Sequence, residues 1–279
     1  MIAFWKRYSR NWGAVFGLLI IVVVCALALL APYLYEDSPW MMVATPLIPP
    51  LTDPAYPFGT DMLGRDITAG LVWGARVSLM VGLLSTVISL AFGIVIGTTA
   101  GFFGGWIDDA LMRFTEFFQT IPQLALTVVI VAVMSPSLWS ITAAITAVSW
   151  PPAARLVRSE FLSLRQREFV QAAVVIGQKP GRIIWAQILP NAMSPVIVSA
   201  SFMVATAILT ESALAFLGLG DRNLMSWGFM IGASRTMIRE AWWMCVWPGV
   251  AIMLTVLAIN LIGEGLNDAL NPQLRKRGE

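Results

Sequence analysis

Long apolar stretches divide this sequence, and they restrict its possible folds more than any other feature. A helix needs about 20 mostly apolar residues to cross the hydrocarbon core of a bilayer. Only 12% of the 279 residues are charged, about half the share that covers a soluble domain. We therefore predict an all-α membrane protein with about six transmembrane helices. The predicted spans are Ala14–Leu34, Val77–Ala100, Phe117–Met134, Leu138–Ala154, Met193–Phe216 and Trp243–Ile262.

Basic residues in the connecting segments predict how the chain is oriented. Lys and Arg accumulate in the cytoplasmic loops of membrane proteins. Three of them precede the first span, residues 155–182 contain six basic and two acidic residues, and residues 275–277 are all basic. Residues 36–66 contain five acidic residues and one basic residue. Six spans bring the three basic regions to one side, so we predict that both termini are cytoplasmic and that residues 36–66 face outward.

The residue types that are missing exclude the commonest kinds of membrane enzyme. The sequence has no histidine, so it cannot form a Ser-His or Cys-His pair or an H-E-x-x-H zinc site. Its aspartates lie in loops or near helix ends, which is not the pattern of an aspartyl intramembrane protease. Cys25 and Cys245 lie in or beside separate apolar runs and suggest neither a disulfide nor a metal site. We predict no catalytic residue, no metal site and no bound cofactor.

Glycine recurs at every fourth position along the second predicted span. Gly93, Gly97, Gly101 and Gly105 fall on one face of a helix and leave that face without side chains. Small residues at this spacing allow two membrane helices to approach closely. We therefore predict that this face packs against another helix of the bundle.

Glu211 is the clearest ionisable residue inside a predicted span. Charged groups are costly in a bilayer and commonly have a function there. Two roles are open: Glu211 lines or gates a translocation path, or it makes a hydrogen bond to a neighbouring helix. A self-contained channel or carrier is a remote alternative, because it would need a complete polar path within this one chain.

The segment between the fourth and fifth spans carries a short amphipathic helix. Residues 166–176 contain neither glycine nor proline, and a glycine ends the run. Phe169, Ala172, Ala173 and Ile176 follow helical spacing and form an apolar stripe. Such a stripe, bordered by basic side chains, suits a groove on a partner protein. It equally suits the surface of an anionic bilayer, so the pattern alone leaves both options open.

This segment resembles the loop motif of binding-protein-dependent ABC importer permeases in Gln171-Ala-Ala-x-x-x-Gly177 and the later Leu189-Pro190. In that family the loop, here about residues 158–192, contains the coupling helix that binds a cleft of the ATPase. This chain has Gln171 where the family usually has Glu, and Glu168 stands one turn earlier. The resemblance implies coupling to the ATPase through Glu168, Phe169, Gln171, Ala172, Ala173, Ile176, Gly177 and Arg182.

Further motifs along the chain resemble those of dipeptide, oligopeptide and nickel permeases of the same family. The resemblance implies the fold of a type I ABC importer permease in the bacterial inner membrane. It divides the chain into residues 1–75, with the N-terminal tail, first helix and outer loop, and residues 76–279, with a five-helix core. It implies transport of short peptides, with nickel or a metal chelate as the alternative cargo. The matching stretches are Phe58–Asp66, Gly74–Leu79, Phe216–Gly220, Ser226–Gly228 and Asn260–Pro272.

The same resemblance implies four kinds of neighbour. They are a homologous second permease subunit, two ATPase subunits, an extracytoplasmic solute-binding protein and the lipid bilayer. The sequence agrees on the energy source, because it has no G-x-x-x-x-G-K-[ST] segment and so no P-loop for ATP. ATP and Mg²⁺ are expected on the ATPase subunits, and this chain is not expected to be an enzyme. A net charge of +2 gives no sign of a nucleic-acid partner.

Charged residues near the ends of the spans allow two interpretations each. Asp108, Asp109, Arg113 and Glu116 lie on a short helix with acidic residues ahead of Arg113, where pairing four residues apart and with the helix dipole is the ordinary expectation. Contact with the ATPase is the alternative for these residues. Asp61, Arg65 and Asp66 lie in the acidic outer loop. They either order that loop or touch the solute-binding protein.

Overall fold

The structure is a bundle of helices. A computed structural model describes residue 5 and residues 7–270. Some residues used in the sequence analysis lie outside this part of the chain: the basic residues at positions 6 and 275–277, and positions 271–272 of the last motif. Apart from one isolated bridge between Thr60 and Asp66, the regular structure of the described residues is helical, which confirms the predicted fold class. The helices are α1 Trp12–Leu34, α2 Ile67–Phe103, α3 Gly105–Thr120, α4 Gln123–Met134, α5 Leu138–Arg165, α6 Glu168–Val175, α7 Pro180–Leu219, α8 Trp227–Ser234 and α9 Trp243–Leu270.

Length and composition separate the helices that can cross a bilayer unaided from the rest. Among the described residues, α1, α2, α7 and α9 are long and apolar enough, and the bent pair α3–α4 would add a fifth span. The remaining predicted span corresponds to α5. This helix has 28 residues and is therefore about 42 Å long, but its Trp, Ser, Thr and Pro residues make it less apolar than the other four. By this measure the described residues provide four or five spans, where the sequence predicts about six.

Helices α3 and α4 form one broken path along α5. They meet at an angle of 83°. The break occurs where Ile121 is extended, because the ring of the following Pro122 disfavours a helical residue before it. The pair nevertheless meets α5 in the reverse order of sequence: Asp108 pairs with Arg158, Gln123 donates to Ser149, and Val131 shares a buried cluster with Ile141.

Glycines allow α2 and α5 to pack closely. A Cβ atom at Gly93 would lie 2.7 Å from the Cβ of Ala153, and one at Gly101 would lie 2.6 Å from the Cβ of Phe161. The glycine at position 97 contacts the same helix between them, so the predicted packing face is confirmed at three positions. The prediction is wrong for Gly105, which begins α3 with a φ of +57° and has no atom within 4 Å of its Cβ position. Gly104 and Gly105 both have a positive φ and form the turn from α2 into α3, so Gly105 no longer belongs to the packing face of α2.

The bundle has two ends, which we name by their charge. The acidic end carries the loop of residues 35–66, the start of α5 and the helix α8, and the amide of Leu138 donates there to the Asp221 carboxylate. The basic end carries residues 155–182 and the start of α1. At that end the side chain of Asn11 donates to Asp268 of α9 at 3.0 Å. The first helix therefore begins where the last one finishes, as an even number of crossings requires. The cytoplasmic location of the basic end stays a prediction.

The predicted division after residue 75 lies within α2, which is one helix from Ile67 to Phe103. Helix α1 packs on the last helix, because a Cβ at Gly17 would lie 2.7 Å from the carbonyl oxygen of Ala258. Ala28 of α1 also shares a buried cluster with residues of α7 and α9. The division stays a prediction, and residues on both sides of it contribute to one core.

Candidate functional site

Helix α6 is the short helix that the sequence predicts after the fourth span. Glu168 lies in its first turn, where a carboxylate is favourable beside the helix dipole. Gly177 ends the helix with a φ of +74°. The amide of Gly177 donates to the Val174 carbonyl and the amide of Gln178 donates to the Ala173 carbonyl, both at 3.0 Å. These two bonds form a Schellman motif, which glycine adopts without strain, so the predicted helix stop is confirmed.

Helix α6 rests on the bundle with one face and exposes the other. Val170 and Ala173 are 2% and 3% exposed and belong to a buried cluster with side chains of α5 and α7. Phe169 and Ile176 are 42% and 72% exposed, and Ala172 is exposed with them. The structure therefore divides the predicted stripe: Ala173 faces the chain's own core, whereas the other three residues face outward.

The outward face of α6 is apolar at its centre and basic at its border. Val174 and Val175, which the predicted stripe leaves out, are 58% and 85% exposed. Glu168 and Gln171 are exposed at its margins. A group of exposed apolar side chains on one short helix is typical of contact with another protein or with a membrane. We define the α6 surface as Phe169, Ala172, Val174, Val175 and Ile176. Its basic border consists of Arg165, Arg167, Lys179 and Arg182. These four basic side chains form no ion pair within the described chain.

An ion pair holds α3 against α5 shortly before α6. The guanidinium of Arg158 donates to both carboxylate oxygens of Asp108, from Nε at 2.5 Å and from Nη2 at 2.6 Å. The two side chains are 33% and 12% exposed. Hydrogen bonding to Asp108 raises the pKa of Arg158 above its ordinary value. The expectation of pairing within the helix is therefore wrong for Asp108, whose partner lies 50 positions away.

Glu211 lies in a buried polar cluster at the acidic end, between α7 and α8. The residue is 3% exposed, and its Oε1 accepts a hydrogen bond from the Ser226 hydroxyl at 2.7 Å. Its Oε2 lies 3.4 Å from the hydroxyl oxygen of Ser212. Ser226 also caps α8, because its Oγ accepts from the amide of Phe229 at 3.0 Å. Of the two open roles, this geometry corresponds to a hydrogen bond with a neighbouring helix, and the role in gating stays a prediction.

Asp61 and Asp66 order the loop at the acidic end. Asp61 accepts a hydrogen bond from the amide of Arg65 at 2.9 Å. Asp66 caps α2, because its Oδ1 accepts from the amide of Thr68 at 2.8 Å. The Arg65 guanidinium lies over the Trp40 ring, 4.9 Å from its centroid. The ordering role is therefore confirmed, and contact with a solute-binding protein stays a prediction.

The sequence matches a family whose members have this architecture. Residues 93–276 match the model of the binding-protein-dependent transport system inner membrane component. The chain belongs to this family of permeases. Residues 2–50 of the permease also match the N-terminal transmembrane domain of oligopeptide transport permease C. The resemblance seen in the sequence is confirmed, and the permease is a multi-pass inner-membrane protein.

Known relatives match the permease over almost its full length. It is 42% identical to the dipeptide transport system permease protein DppC of Alkalihalophilus pseudofirmus, over 97% of its own length and 89% of the relative. It is 39% identical to the di/tripeptide transport system permease protein DppC of Pseudomonas aeruginosa, over 98% and 92%. It is 36% identical to the oligopeptide transport system permease protein OppC of Haemophilus influenzae, over 97% and 88%. These relatives are all transport system permease proteins by name, and the permease is likewise a transport component and not itself an enzyme, as predicted.

A solved structure shares the fold of the permease. A chain of the methionine ABC transporter MetNI matches it with a TM-score of 0.61, over 72% of the permease and 96% of that chain. The sequence identity is 18%, so the similarity concerns the fold alone. It confirms the predicted fold of a type I importer permease.

Proposed function

We propose that this permease is one of two membrane subunits of an ATP-driven importer that carries short peptides across the bacterial inner membrane. The observation that supports this most is its similarity, over at least 97% of its length, to dipeptide, di/tripeptide and oligopeptide permeases. Nickel or a metal chelate is the alternative cargo, and the experiment below distinguishes the two.

The charges at the two ends of the bundle support a defined orientation and a defined set of partners. The basic end, with both termini, lies in the cytoplasm because Lys and Arg gather there. Two ATPase subunits, which bind ATP and Mg²⁺, dock at this end. A homologous second permease completes the pore, and an extracytoplasmic solute-binding protein delivers cargo at the acidic end.

The α6 surface is the contact that couples this chain to the ATPase. Its exposed apolar centre supplies area that a groove can bury, and its basic border favours an acidic rim on the partner. Membership of a binding-protein-dependent permease family favours this groove over the bilayer surface as its partner. The coupling residues that we propose are Glu168, Phe169, Gln171, Ala172, Ile176, Gly177 and Arg182 at the contact, with Ala173 positioning α6 from beneath.

The packing of α6 supports a rigid connection from the ATPase to the pore. Val170 and Ala173 anchor α6 against α5 and α7. Arg158 joins α5 to Asp108 on α3, so three long elements are connected at the basic end. When ATP binding draws the two ATPase subunits together, α6 moves with its groove and these helices move with it. The path then opens toward the acidic end, and hydrolysis reverses the movement.

Glu211 lies where this movement would take effect. Its bond to Ser226 joins the end of α7 to the start of α8. A shift of α7 is therefore transmitted to α8 at the acidic end. We place Glu211 at the outer gate on this basis, as a residue that positions α8.

Transport by the reconstituted complex tests the proposed cargo. Vesicles would contain this permease, its paired permease and the ATPase subunits, with the solute-binding protein on the acidic side. We expect uptake of a radiolabelled dipeptide that depends on ATP and on the solute-binding protein, and no such uptake of nickel. ATP-dependent nickel uptake without dipeptide uptake would overturn the peptide proposal.

A single substitution tests the coupling contact. Ala172→Glu places a carboxylate at the centre of the α6 surface without touching its buried anchor. Burying that unpaired charge is expected to lower uptake and the retention of the ATPase by about tenfold or more. The control variant Ala55→Glu makes the same change in the exposed loop at the acidic end. It should bind the ATPase as well as the wild type does. Unchanged uptake by Ala172→Glu would mean that α6 rests on the bilayer.

A further inference from the structure

A cavity at the acidic end is lined by charged and aromatic side chains that the coupling mechanism does not use. It has a volume of about 740 Å³, within the range of small-ligand sites. It lies where the loop of residues 35–66, α2, the start of α5 and the connection between α7 and α8 meet. The residues of its wall that matter most are Glu36, Trp40, Trp73, Arg76 and Met80.

Arg76 is the unexplained cation of this cavity. It is the tenth residue of α2, directly before the predicted apolar span, and its side chain is exposed. Its guanidinium carbon lies 5.8 Å from the centroid of the Trp73 ring, a cation–π contact. No carboxylate of the described chain pairs with it. An arginine at the membrane boundary with its donors unused is a candidate for binding a solute anion.

Trp73 adds a second unsatisfied donor on the same face of α2. Its indole nitrogen is buried, and no described residue accepts a hydrogen bond from it. Buried donors are normally satisfied, so this one is available to a partner from outside the chain. Residues three positions apart on a helix lie side by side, and the Arg76 guanidinium accordingly lies over the Trp73 ring. A carboxylate, with two acceptor oxygens, can bind a guanidinium and an N–H together.

The rest of the wall complements the other parts of a short peptide. Glu36 provides an exposed carboxylate that suits an α-amino group. Trp40 is a fixed aromatic wall, because Arg65 stacks on it and Phe229 packs edge-on at 5.1 Å. Met80 contributes a flexible thioether, which adapts to side chains of different shape.

We propose that this cavity binds a short peptide in transit, with the α-carboxylate on Arg76 and the Trp73 N–H and the α-amino group near Glu36. The inference rests on the proposed function as a peptide importer. A lipid phosphate could also bind Arg76, but Glu36 on the same wall would repel it. A zwitterionic peptide satisfies both charged residues.

Paired peptides test this assignment in the reconstituted importer. Uptake of a dipeptide with a free carboxylate would be compared with uptake of the same dipeptide carrying a C-terminal amide, each at a concentration that saturates the solute-binding protein. The ratio of the two rates would be measured for the wild type, Arg76→Gln and Arg239→Gln. The solute-binding protein is the same in all three, so its own preference cancels when the ratios are compared. Arg239 is the matched control, since it is an exposed arginine at the acidic end outside the cavity.

Arg76→Gln is expected to lower the ratio by about tenfold, because the carboxylate loses a charged hydrogen-bonding partner in a cavity that is open to water. Arg239→Gln should keep the wild-type ratio. Arg76→Lys should restore part of it, because lysine keeps the charge but not the paired donors. Glu36→Gln should leave this ratio unchanged and instead reduce the discrimination between free and N-acetylated dipeptides.

Two kinds of failure are distinguishable. Equal losses for both peptides in Arg76→Gln, with an unchanged ratio, would overturn the inference and indicate a lipid or structural role. If Arg76→Gln fails to assemble with the ATPase, Arg76→Lys and Glu36→Gln decide. A wild-type ratio in Arg76→Lys, together with wild-type discrimination against the N-acetylated dipeptide in Glu36→Gln, would overturn the inference. A wild type that takes up no dipeptide would refute the proposed function itself.

Discussion

Arg158 of α5 donates two hydrogen bonds to Asp108 of α3, at 2.5 and 2.6 Å, close to the point where the chain enters α6. Helix α5 ends at Arg165, so the ion pair lies two turns before the loop. The pair fixes the start of the broken span α3–α4 to the helix that leads into the α6 surface. Its loss should therefore affect both the stability of the bundle and the transmission of movement from α6.

Asp108→Asn is expected to destabilise the permease by about 1–2 kcal/mol, because it leaves Arg158 without a counter-ion in a partly buried site. This value lies between those of exposed and fully buried pairs, since the Arg158 side chain is 33% exposed. Thermal unfolding in detergent, followed by tryptophan fluorescence, measures the change. Asp109→Asn removes the same charge from an exposed neighbour, which acts on Arg158 at a distance and without a hydrogen bond, so it should lower the transition by much less. Equal transitions for the two variants would contradict a structural role of the pair.

Ser226→Ala is expected to loosen α8. The substitution removes the N-cap of this helix and the nearest donor to the buried Glu211 carboxylate, a loss of about 1–2 kcal/mol. Hydrogen exchange of the amides of residues 227–234 should become faster by about tenfold, which is the equivalent of 1.4 kcal/mol. Ser212→Ala is the control, because that hydroxyl lies 3.4 Å from Glu211 and already donates to the Ile208 carbonyl at 2.9 Å. Similar exchange in both variants would mean that the Ser226 bond does not hold α8 in place.

The features that the sequence predicts correctly depend on short stretches of chain. The thickness of a bilayer sets the length of an apolar run, so α1, α2, α7 and α9 can be read from hydropathy. Gly177 stops α6 because a positive φ is a property of one residue and its neighbours. The glycines from Gly93 to Gly101 form a packing face because four-residue spacing alone places them together.

The features that the sequence does not predict depend on which distant residues meet. The acidic residues at the start of α3 suggest pairing within that helix, and nothing local indicates that Asp108 pairs with Arg158 of α5 instead. Helix α6 has apolar residues on two faces, so spacing does not decide whether Ala173 or Ile176 meets the core.

Gly177 and Gly181, which follow α6, allow the effect of backbone strain to be tested separately from the effect of a steric contact. Neither Gly177 nor Gly181 has an atom within 4 Å of its Cβ position, but only Gly177 has a positive φ, of +74°. Gly177→Ala is therefore expected to cost about 1 kcal/mol and to fray the end of α6, whereas Gly181→Ala should be close to neutral. Stimulation of the ATPase by the loaded solute-binding protein should fall in the first variant alone.

For the same reason Gly177→Glu would be a poor test of the coupling contact, since it combines strain with charge. Equal stimulation in both alanine variants would contradict the role of the Schellman motif in presenting α6.

The close packing of α2 and α5 predicts a steric effect of one methyl group. A Cβ at Gly101 would lie 2.6 Å from the Phe161 Cβ and 3.0 Å from the Arg158 carbonyl oxygen, and neither neighbour is the end of a flexible side chain. Gly101→Ala should therefore force the helices apart and destabilise the permease by about 1–3 kcal/mol, measured by thermal unfolding in detergent. Gly249→Ala is the matched control within a long helix, because no atom lies within 4 Å of its Cβ position. Since alanine is the better helix former, that control should be neutral or slightly stabilised. A Gly101→Ala protein as stable as the Gly249→Ala protein would mean that α5 can move away from α2 without cost. Because α5 leads into α6, the rigid connection between α6 and the pore would then lack its basis.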